Sequence, residues 1–425
     1  MEQTPLYTAL RRHQALHRAP FHTPGHKCLP DALPQDLLAL DYTELPDTDS
    51  LFEADGAILQ AEQAAAALFG AKRTLFSAGG CSLCIQTMLR LACPQGGRVL
   101  CARNVHRSAV NAMALLGLEP IWVMPNAVQN GINNTESINA CYVTSPDYYG
   151  RLQDIPVLAR LCKKRGIPLL VDNAHGTHLA FTEPDLHPLY QGASMTADSA
   201  HKTLNVLTGG AWLQIGEERY VQGAKAAMSL FASTSPSYPI MASLDLARAW
   251  LAEHPHAFVE VQAQVRTLAA LAKSRGIANV SADPARLSLR TADIGLTGAA
   301  AAEIFRKNGV EPEMADGGFV VFLCTPWNTQ EDYQKLSAAI LALPVGAPLP
   351  PRAELPPLPP VRMPLRQAVF APSETVPLRQ AVGRIAAQAA CPCPPGVPVV
   401  MPGEEVTPQA ARFLSGYGFF SFDVL

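Results

Sequence analysis

Long apolar runs are missing from this sequence of 425 residues. No segment keeps the ~20 consecutive apolar residues that a helix needs to cross a bilayer. The N-terminal stretch MEQTPLYTALRRHQALHRAPF also lacks the continuous apolar core of a secretory signal peptide. We therefore expect a cytoplasmic protein that makes no contact with a membrane.

An excess of positive charge is missing as well. The chain has 33 Lys and Arg against 36 Asp and Glu, a formal charge of −3, whereas binding to a phosphate backbone normally requires a basic surface. We therefore expect no nucleic-acid partner. Hydrophobic residues make up 48% of the chain. That content is enough for a large core in more than one domain, and it excludes a disordered chain or a small disulfide scaffold.

The 10 cysteines do not form a disulfide framework. They are scattered through apolar surroundings, as expected of free thiols in a reducing compartment. The close pairs Cys81 with Cys84 and Cys391 with Cys393 have no His-rich partner at the spacing of a zinc finger. We therefore expect small buried hydrophobic residues at these positions and no metal site.

The chain does contain a regular alternation of helix-like stretches and short apolar runs over residues 56–245. This alternation predicts an α/β domain with a mostly parallel sheet. Residues 246–343 open with a long helical pattern and continue as a smaller domain, and the proline-dense residues 344–364 predict an extended linker. We treat residues 1–55 as an N-terminal segment and residues 365–425 as a C-terminal domain that packs back on the rest.

The clearest predicted strand is the apolar run from Ile167 to Val171, which Asp172 ends. Ligands bind at the carboxyl ends of strands in open α/β sheets, so Asp172 marks a candidate site. Lys202 follows further along, in Ser-Ala-His-Lys-Thr. A buried lysine can lose its proton and condense with an aldehyde, and a nearby carboxylate can keep a pyridine nitrogen protonated. A surface lysine and a helix-capping aspartate are the alternatives.

Two further segments carry candidate ligand-binding residues. The small-residue turn from Gly79 to Ser82 precedes a helix-like stretch, and its N–H groups and hydroxyl can bind an anion such as phosphate. A tight turn without a ligand would need the same glycines. The second segment follows the apolar run from Val99 to Ala102 and contains His106, whose ring can stack on a pyridine face. A solvated basic patch is the alternative there.

Taken together, these segments resemble the Orn/Lys/Arg decarboxylase family of fold-type I pyridoxal-phosphate enzymes, in its shorter bacterial form. The stretches that carry the resemblance follow the family order over nearly the whole chain: PFHTPGHK (20–27), DYTELPDTDSL (41–51), ARNVHRS (102–108), TSPDYYG (144–150), LLVDNAHGTHL (169–179), SAHKTL (199–204), STSPSYPIMASLDLAR (233–248) and CPPGVPVVMPGEE (393–405). The resemblance implies a fold-type I large domain with a mostly parallel sheet, a smaller α+β domain and a C-terminal decarboxylase-type domain.

The resemblance also implies a role for each site residue. Pyridoxal 5'-phosphate would form a Schiff base with Lys202, while Asp172 pairs with its ring nitrogen and His106 stacks on its ring. His175 would lie beside the cofactor, and Glu404 near the distal cationic end of the substrate. The other implied cofactor contacts come from the phosphate turn, the segment before Lys202 and a segment that reaches a neighbouring subunit in a homodimer: Gly80, Cys81, Ser82, Ser199, His201, Thr234 and Ser235.

The implied reaction is decarboxylation of arginine, lysine or ornithine to the corresponding amine. The sequence departs from the family pattern at Gly79 and Cys81 in the phosphate turn and at Asn173 after Asp172. These departures affect the expected affinity for the cofactor and the expected identity of the substrate. Another fold-type I reaction, such as transamination or aldol cleavage, is an alternative because the same Asp–Lys pair serves several reactions. A non-catalytic binding or regulatory subunit is the other alternative.

Overall fold

The structure, a computed structural model, describes residues 16–21, 42, 44, 48–351, 353–392 and 396–425. The motif PFHTPGHK beyond Phe21, part of DYTELPDTDSL and Cys393 lie outside the described residues, as does most of the predicted N-terminal segment 1–55. Within the described ranges, no helix is both long and apolar enough to cross a membrane.

Strands and helices alternate through the first half of the described chain and form smaller units after it. The strands are β1 Ala19–Phe21, β2 Arg73–Ser77, β3 Gly97–Ala102, β4 Leu118–Val123, β5 Ala140–Thr144, β6 Leu169–Asp172, β7 Met195–Asp198, β8 Ala211–Ile215, β9 Ala278–Asn279, β10 Arg286–Arg290, β11 Val310–Pro312, β12 Met314–Ala315, β13 Val320–Leu323, β14 Glu374–Pro377 and β15 Ser421–Val424. The α-helices are Ala57–Leu68, Gly80–Ala92, Arg107–Leu116, Val128–Asn134, Ile155–Lys164, Ala200–Thr203, Ala224–Ser229, Tyr238–Glu253, Ala257–Ser274, Gly298–Lys307, Gln330–Ala342, Leu365–Phe370, Leu378–Ala381 and Pro408–Gly416.

The largest sheet has seven strands in the order β2-β8-β7-β6-β5-β3-β4. Strands β3 to β7 pair in parallel, and β8 runs antiparallel to both of its neighbours. Separate apolar clusters cover the two faces of this sheet, one around Val99 and Leu170 and the other around Leu100 and Val171. Burial on both faces explains the nearly continuous apolar strands, as is usual for parallel sheets. The prediction of an α/β domain with a mostly parallel sheet is confirmed.

The site-bearing strand β6 begins later than the apolar run predicts. It extends from Leu169 to Asp172 rather than from Ile167 to Val171. Pro168 has no N–H to donate across the sheet, although its carbonyl oxygen still accepts a hydrogen bond from the N–H of Cys141. The strand therefore ends on Asp172 itself.

The long helical pattern after the large sheet is two helices, Tyr238–Glu253 and Ala257–Ser274. Pro255 lies between them, and a proline cannot continue a helix because it lacks the N–H and clashes with the preceding turn. The predicted domain boundary after residue 245 falls inside the first helix, and the division into domains at that point stays a prediction. Both helices contribute to one core with the small antiparallel sheet β12-β13-β10-β9.

The C-terminal region packs back on the large domain. Residues 344–351 and 353–360 have neither helix nor strand, in agreement with the expectation for a proline-dense linker. Beyond them, β14 and β15 form a two-stranded antiparallel sheet. Leu365 and Met401 are buried in the same apolar cluster as the helix Gly80–Ala92, which holds this region against the large sheet.

Candidate active site

The carboxyl ends of six strands lie at one edge of the large sheet, since β4 also pairs in parallel with β3. Strands β3, β5, β6 and β7 pair in parallel, and β2 runs in the same direction because it is antiparallel to β8, which is antiparallel to β7. The segments that follow β2, β3, β6 and β7 contain the predicted phosphate turn, His106, Asp172 with His175, and Lys202. The fold therefore brings most of the predicted site residues to one edge, where ligands bind in open α/β sheets.

Asp172 ends β6 and is only 1% exposed. Its Oδ1 accepts a hydrogen bond from the N–H of Ala174 at 3.1 Å, and its Oδ2 accepts one from the hydroxyl of Tyr142 at 3.1 Å. Burial raises the pKa of Asp172 above that of an ordinary aspartate, while the charge of Lys202 and these two donors oppose the shift. The carboxylate therefore depends on its donors and on a positive neighbour to stay ionised.

Lys202 lies in the short helix Ala200–Thr203, directly after β7. Its Nζ is 2.9 Å from Nε2 of His175. Burial lowers the pKa of Lys202, although the negative charge of Asp172 acts against this. Burial and the charge of Lys202 hold the pKa of His175 well below its usual range, so its ring is neutral. A lysine with a lowered pKa beside a neutral imidazole is suited to nucleophilic attack on an aldehyde.

His106 is the N-cap residue of the helix Arg107–Leu116. Its Nδ1 accepts a hydrogen bond from the N–H of Ser108 at 3.2 Å, which orients the ring at the strand edge. Burial lowers the pKa of His106, and its charge interacts with those of Asp172 and Lys202. The ring thus lies in the same electrostatic environment as the predicted cofactor residues, and its stacking on a cofactor stays a prediction.

The predicted phosphate turn forms the start of the helix Gly80–Ala92. Gly80 has a φ of +70°, which a residue with a side chain rarely adopts, and its N–H donates to the carbonyl oxygen of Gly209 at 2.8 Å. The carbonyl oxygen of the next residue, Gly210, accepts from the N–H of His201 at 3.2 Å. The pair Gly209 and Gly210 therefore joins the start of this helix to the helix that carries Lys202.

These residues fit pyridoxal phosphate. The helix Gly80–Ala92 has no side-chain cap and has Ser82 exposed in its first turn, which leaves an end that binds anions. Ser199 is 1% exposed and directly precedes the lysine helix. In the described part of the chain, Nδ1 of His175 and the hydroxyl of Thr144, the β5 residue opposite Asp172, are buried without a protein hydrogen-bond partner. A buried carboxylate, a lysine of lowered pKa and an uncapped helix end are the groups that this cofactor requires.

Thr234 and Ser235 lie on an exposed bend before the helix Tyr238–Glu253. The hydroxyl of Ser233 accepts a hydrogen bond from the N–H of Ser235 at 3.1 Å. Their contact with the site of a neighbouring subunit therefore stays a prediction.

The structure corrects the position of Glu404. Its side chain is buried, and both carboxylate oxygens accept hydrogen bonds from the guanidinium of Arg103 at 2.6 Å. One of these oxygens also accepts from the N–H of Met401 at 2.8 Å. A carboxylate engaged in this way is not placed to bind the cationic end of a substrate. Nor does it cap the following helix, since Thr407 caps that helix with its own hydroxyl.

Sequence reasoning missed two groups that border the site. Tyr142 is buried in β5 and donates a hydrogen bond to Asp172. The only feature of the sequence that could have indicated this role is a tyrosine hydroxyl within a buried strand. Glu313 precedes β12 and accepts a hydrogen bond at 2.6 Å from the hydroxyl of Tyr148, whose ring centroid lies 4.7 Å from that of His175. No local pattern connects Glu313 with the site, because it lies in the small domain.

Comparison with known proteins places the chain in a family. The model for the Orn/Lys/Arg decarboxylase major domain matches residues 4–274, and the model for the C-terminal domain matches residues 362–419. Arginine decarboxylase of Bacillus anthracis is 30% identical over 97% of this chain and 92% of its own length, and that of Bacillus subtilis (strain 168) is 30% identical over 97% and 93%. The structure of E. coli constitutive lysine decarboxylase has the same fold, with a TM-score of 0.73 at 20% identity over 99% of this chain and 80% of that chain. The chain therefore belongs to the Orn/Lys/Arg decarboxylase family.

Proposed function

We propose that this protein converts arginine to the corresponding amine and carbon dioxide. Membership of the family makes it a pyridoxal-phosphate-dependent decarboxylase of a basic amino acid. The choice of arginine is supported by relatives named arginine decarboxylase that match over nearly the whole chain. One observation carries the proposal. Lys202, whose pKa is lowered, follows β7, and the buried carboxylate of Asp172 ends the neighbouring strand β6.

Each side chain at the strand edge has a task in this reaction. Pyridoxal phosphate, when bound, supplies the electron sink that the loss of carbon dioxide requires. Lys202 would hold the cofactor through its amine, and the carboxylate of Asp172 would keep a proton on the ring nitrogen. Nε2 of His175, 2.9 Å from Nζ of Lys202, would accept a hydrogen bond from that amine and keep it oriented toward the cofactor, because the imidazole is neutral.

Arg286, the first residue of β10, connects the small domain to the loops at the strand edge. Its guanidinium is 1% exposed and donates at 3.0 Å to the carbonyl oxygens of Asp147, Tyr148 and His175. These carbonyls belong to the loops after β5 and β6. These three hydrogen bonds therefore hold both loops in a fixed position at the strand edge.

We propose that Glu313 binds the cationic end of the substrate in place of Glu404. Its carboxylate is oriented by the hydroxyl of Tyr148, and its negative charge acts to raise the pKa of Lys202. Glu313 therefore lies close enough to Lys202 for its negative charge to act on the reacting amine. A carboxylate facing a guanidinium forms strong charge-assisted hydrogen bonds.

Substitution of Glu313 tests this recognition. Glu313→Gln should lower kcat/KM for arginine by a factor corresponding to roughly 2–5 kcal/mol, mainly through KM, because the guanidinium loses its counter-charge in a partly desolvated pocket. Glu311→Gln is the matched control, since Glu311 pairs with Arg18 and Arg306 instead. Steady-state kinetics, with the cofactor spectrum followed, provide the measurement. An unchanged kcat/KM in Glu313→Gln would remove this residue from substrate recognition.

A panel of amino acids tests the function itself. We expect carbon dioxide release to be fastest with arginine, with the amine as the co-product and with visible absorbance that shows bound cofactor. A keto acid or an aldehyde as product would identify another fold-type I reaction. Bound cofactor without turnover of any amino acid would identify a non-catalytic binding subunit, and faster release from lysine or ornithine would correct the choice of substrate.

We also propose that a homodimer in the cytoplasm is the working unit. Buried thiols such as Cys84 and Cys101 suit a reducing compartment, and the exposed Thr234 and Ser235 suit a contact with a second copy. Mixing inactive Lys202→Ala subunits with a Thr234→Ala/Ser235→Ala double variant should restore activity, since each heterodimer contains one complete site. No restoration between subunits that exchange would argue against a shared site.

A further inference from the structure

A buried tyrosine lies on the strand next to the one that Asp172 ends. Tyr142 is 0% exposed and pairs across the sheet with Leu170. Leu170 and Asp172 are two residues apart, so their side chains point to the same face of the sheet, and so does that of Tyr142. This register brings the phenol hydroxyl to 3.1 Å from Oδ2 of Asp172.

Packing alone does not require a hydroxyl at this position. The residues opposite Tyr142 on the neighbouring strands, Cys101 and Leu170, are buried and apolar, and a phenylalanine would fill nearly the same volume. A buried phenol needs a hydrogen-bond partner, and here that partner is the carboxylate of Asp172. Burial and the charge of Asp172 raise the pKa of Tyr142 well above its usual range, so the phenol keeps its proton and acts as a donor.

The surroundings of Asp172 show what this donor adds. Burial in the sheet favours the neutral acid, and Cys81 on the helix Gly80–Ala92 is a weak donor at best. The charges of Lys202 and His106, the N–H of Ala174 and the hydroxyl of Tyr142 favour the carboxylate. Burial lowers the pKa of both Lys202 and His106, so the two neutral donors, the N–H of Ala174 and the hydroxyl of Tyr142, matter most where those side chains are uncharged.

We propose that Tyr142 is a positioning residue that keeps the proton shared by Asp172 and the cofactor's ring nitrogen on the nitrogen. The inference rests on the proposed function, because it takes the ligand at Asp172 to be pyridoxal phosphate. Donors to a carboxylate lower its affinity for a proton. Without the hydroxyl of Tyr142, the same proton moves from the ring nitrogen to Asp172, and the ring loses the positive charge that makes it an electron sink.

The location of this proton can be measured without turnover. Holoenzyme loaded with pyridoxal phosphate labelled with ¹⁵N in the ring reports protonation of the nitrogen through its NMR chemical shift. We expect a protonated nitrogen in the wild type and a shift toward the unprotonated value in Tyr142→Phe, with kcat for arginine reduced about tenfold, which corresponds to one pK unit. The matched control is Tyr149→Phe, since Tyr149 is another buried tyrosine and donates at 2.6 Å to Asp316.

Two further variants keep the test decisive. A fluorinated tyrosine at position 142 retains nearly the same volume and donates more strongly, so the ring nitrogen should keep its proton to a higher pH than in the wild type, whereas Tyr142→Phe should lower that pH. The fluorinated variant covers the case in which Tyr142→Phe does not fold. In an Asp172→Asn background, the loss of the hydroxyl should have no further effect on the ring nitrogen. A wild-type pH dependence of the nitrogen signal in both position-142 variants would overturn the inference. If the wild type releases no carbon dioxide from arginine, the proposed function is overturned instead. The NMR signal and the release of carbon dioxide therefore distinguish the two failures.

Discussion

Lys202 and Lys225 show how the partner of a buried lysine decides its chemistry. Burial lowers the pKa of both side chains. Nζ of Lys225, however, lies 2.6 Å from Oε1 of Glu62 in a buried ion pair, whereas Nζ of Lys202 lies beside the neutral ring of His175. An amine paired with a carboxylate keeps its proton, and an amine beside a neutral imidazole is free to react.

This contrast predicts the site of covalent labelling. Reduction of the pyridoxal-phosphate-loaded protein with borohydride should attach the cofactor to Lys202 and leave Lys225 unmodified, as read by peptide mass spectrometry. Lys202→Ala should give no adduct and still melt cooperatively, because this side chain contributes little to the core. An adduct on Lys225 or on another lysine would refute the assignment.

At the scale of secondary structure, the start of the helix Gly80–Ala92 sets how firmly a phosphate is held. Cys81 is in the first turn, and burial raises the pKa of its thiol well above the usual value, so it is a neutral and weak donor. A Cβ at Gly79 would lie 3.1 Å from Cδ2 of Leu83. An asparagine therefore fits there only if Leu83 moves by a few tenths of an ångström.

Restoring polar groups in this turn should tighten cofactor binding. We expect Cys81→Ser to gain about 1 kcal/mol through a stronger hydrogen bond to the phosphate, and Gly79→Asn to add less because it displaces Leu83. Ser82→Ala should have the opposite effect. Equilibrium titration of the apoprotein with pyridoxal phosphate measures all three. If the dissociation constant of Cys81→Ser equals that of the wild type, the backbone N–H groups already satisfy the phosphate.

A second pair of elements is held together by a buried histidine and aspartate. His178 lies in the short 3₁₀ helix after β6. Its Nε2 is 2.8 Å from Oδ1 of Asp283, which precedes β10. Burial acts to raise the pKa of Asp283, but the interactions with His178 and Arg286 outweigh it, so the net pKa lies below the ordinary 3.8. A pKa lowered by folding gives stability that is present above the unfolded value and is lost as the pH falls through the folded one.

Acid unfolding should therefore depend on Asp283. The wild-type melting temperature should drop as the pH falls below about 4, where the unfolded chain binds a proton that the folded chain resists. Asp283→Asn should be less stable at pH 7 by about 3 kcal/mol and should show a smaller further loss in acid. Asp293→Asn is the control, because Asp293 forms a partly exposed pair with Arg290 and should cost at most about 1 kcal/mol. Parallel pH profiles for wild type and Asp283→Asn would contradict the linkage.

At the scale of the whole molecule, one buried ion pair attaches the C-terminal region to the large sheet. Arg103 follows β3, is 0% exposed and binds Glu404 through two hydrogen bonds. The same guanidinium donates to the carbonyl oxygens of Pro398 and Val399. Arg103 also lies three positions before His106, so this attachment borders the site.

Breaking the pair should loosen the C-terminal region. Glu404→Gln leaves the guanidinium of Arg103 buried without a counter-charge and should cost about 3–5 kcal/mol of stability. The adjacent Glu405→Gln removes a partly exposed pair with Arg362 and should cost at most about 1 kcal/mol. Chemical denaturation and limited proteolysis of the C-terminal region test both variants. Equal stability of the two would show that Arg103 and Glu404 are not the main attachment.

The sequence by itself determined the strand edge and the residues at it. Asp172 and Lys202 could be placed because a buried parallel strand is an apolar run ended by a polar residue, and this pattern is local. The tertiary structure alone decided which charged groups become partners. Glu404 binds Arg103, 301 positions away, and His178 binds Asp283, 105 positions away. The hydroxyl of Tyr142 reaches Asp172 only because β5 and β6 pair in one register. Local patterns encode elements and their ends, whereas the partner of a buried charge depends on which distant segments cross in the folded chain.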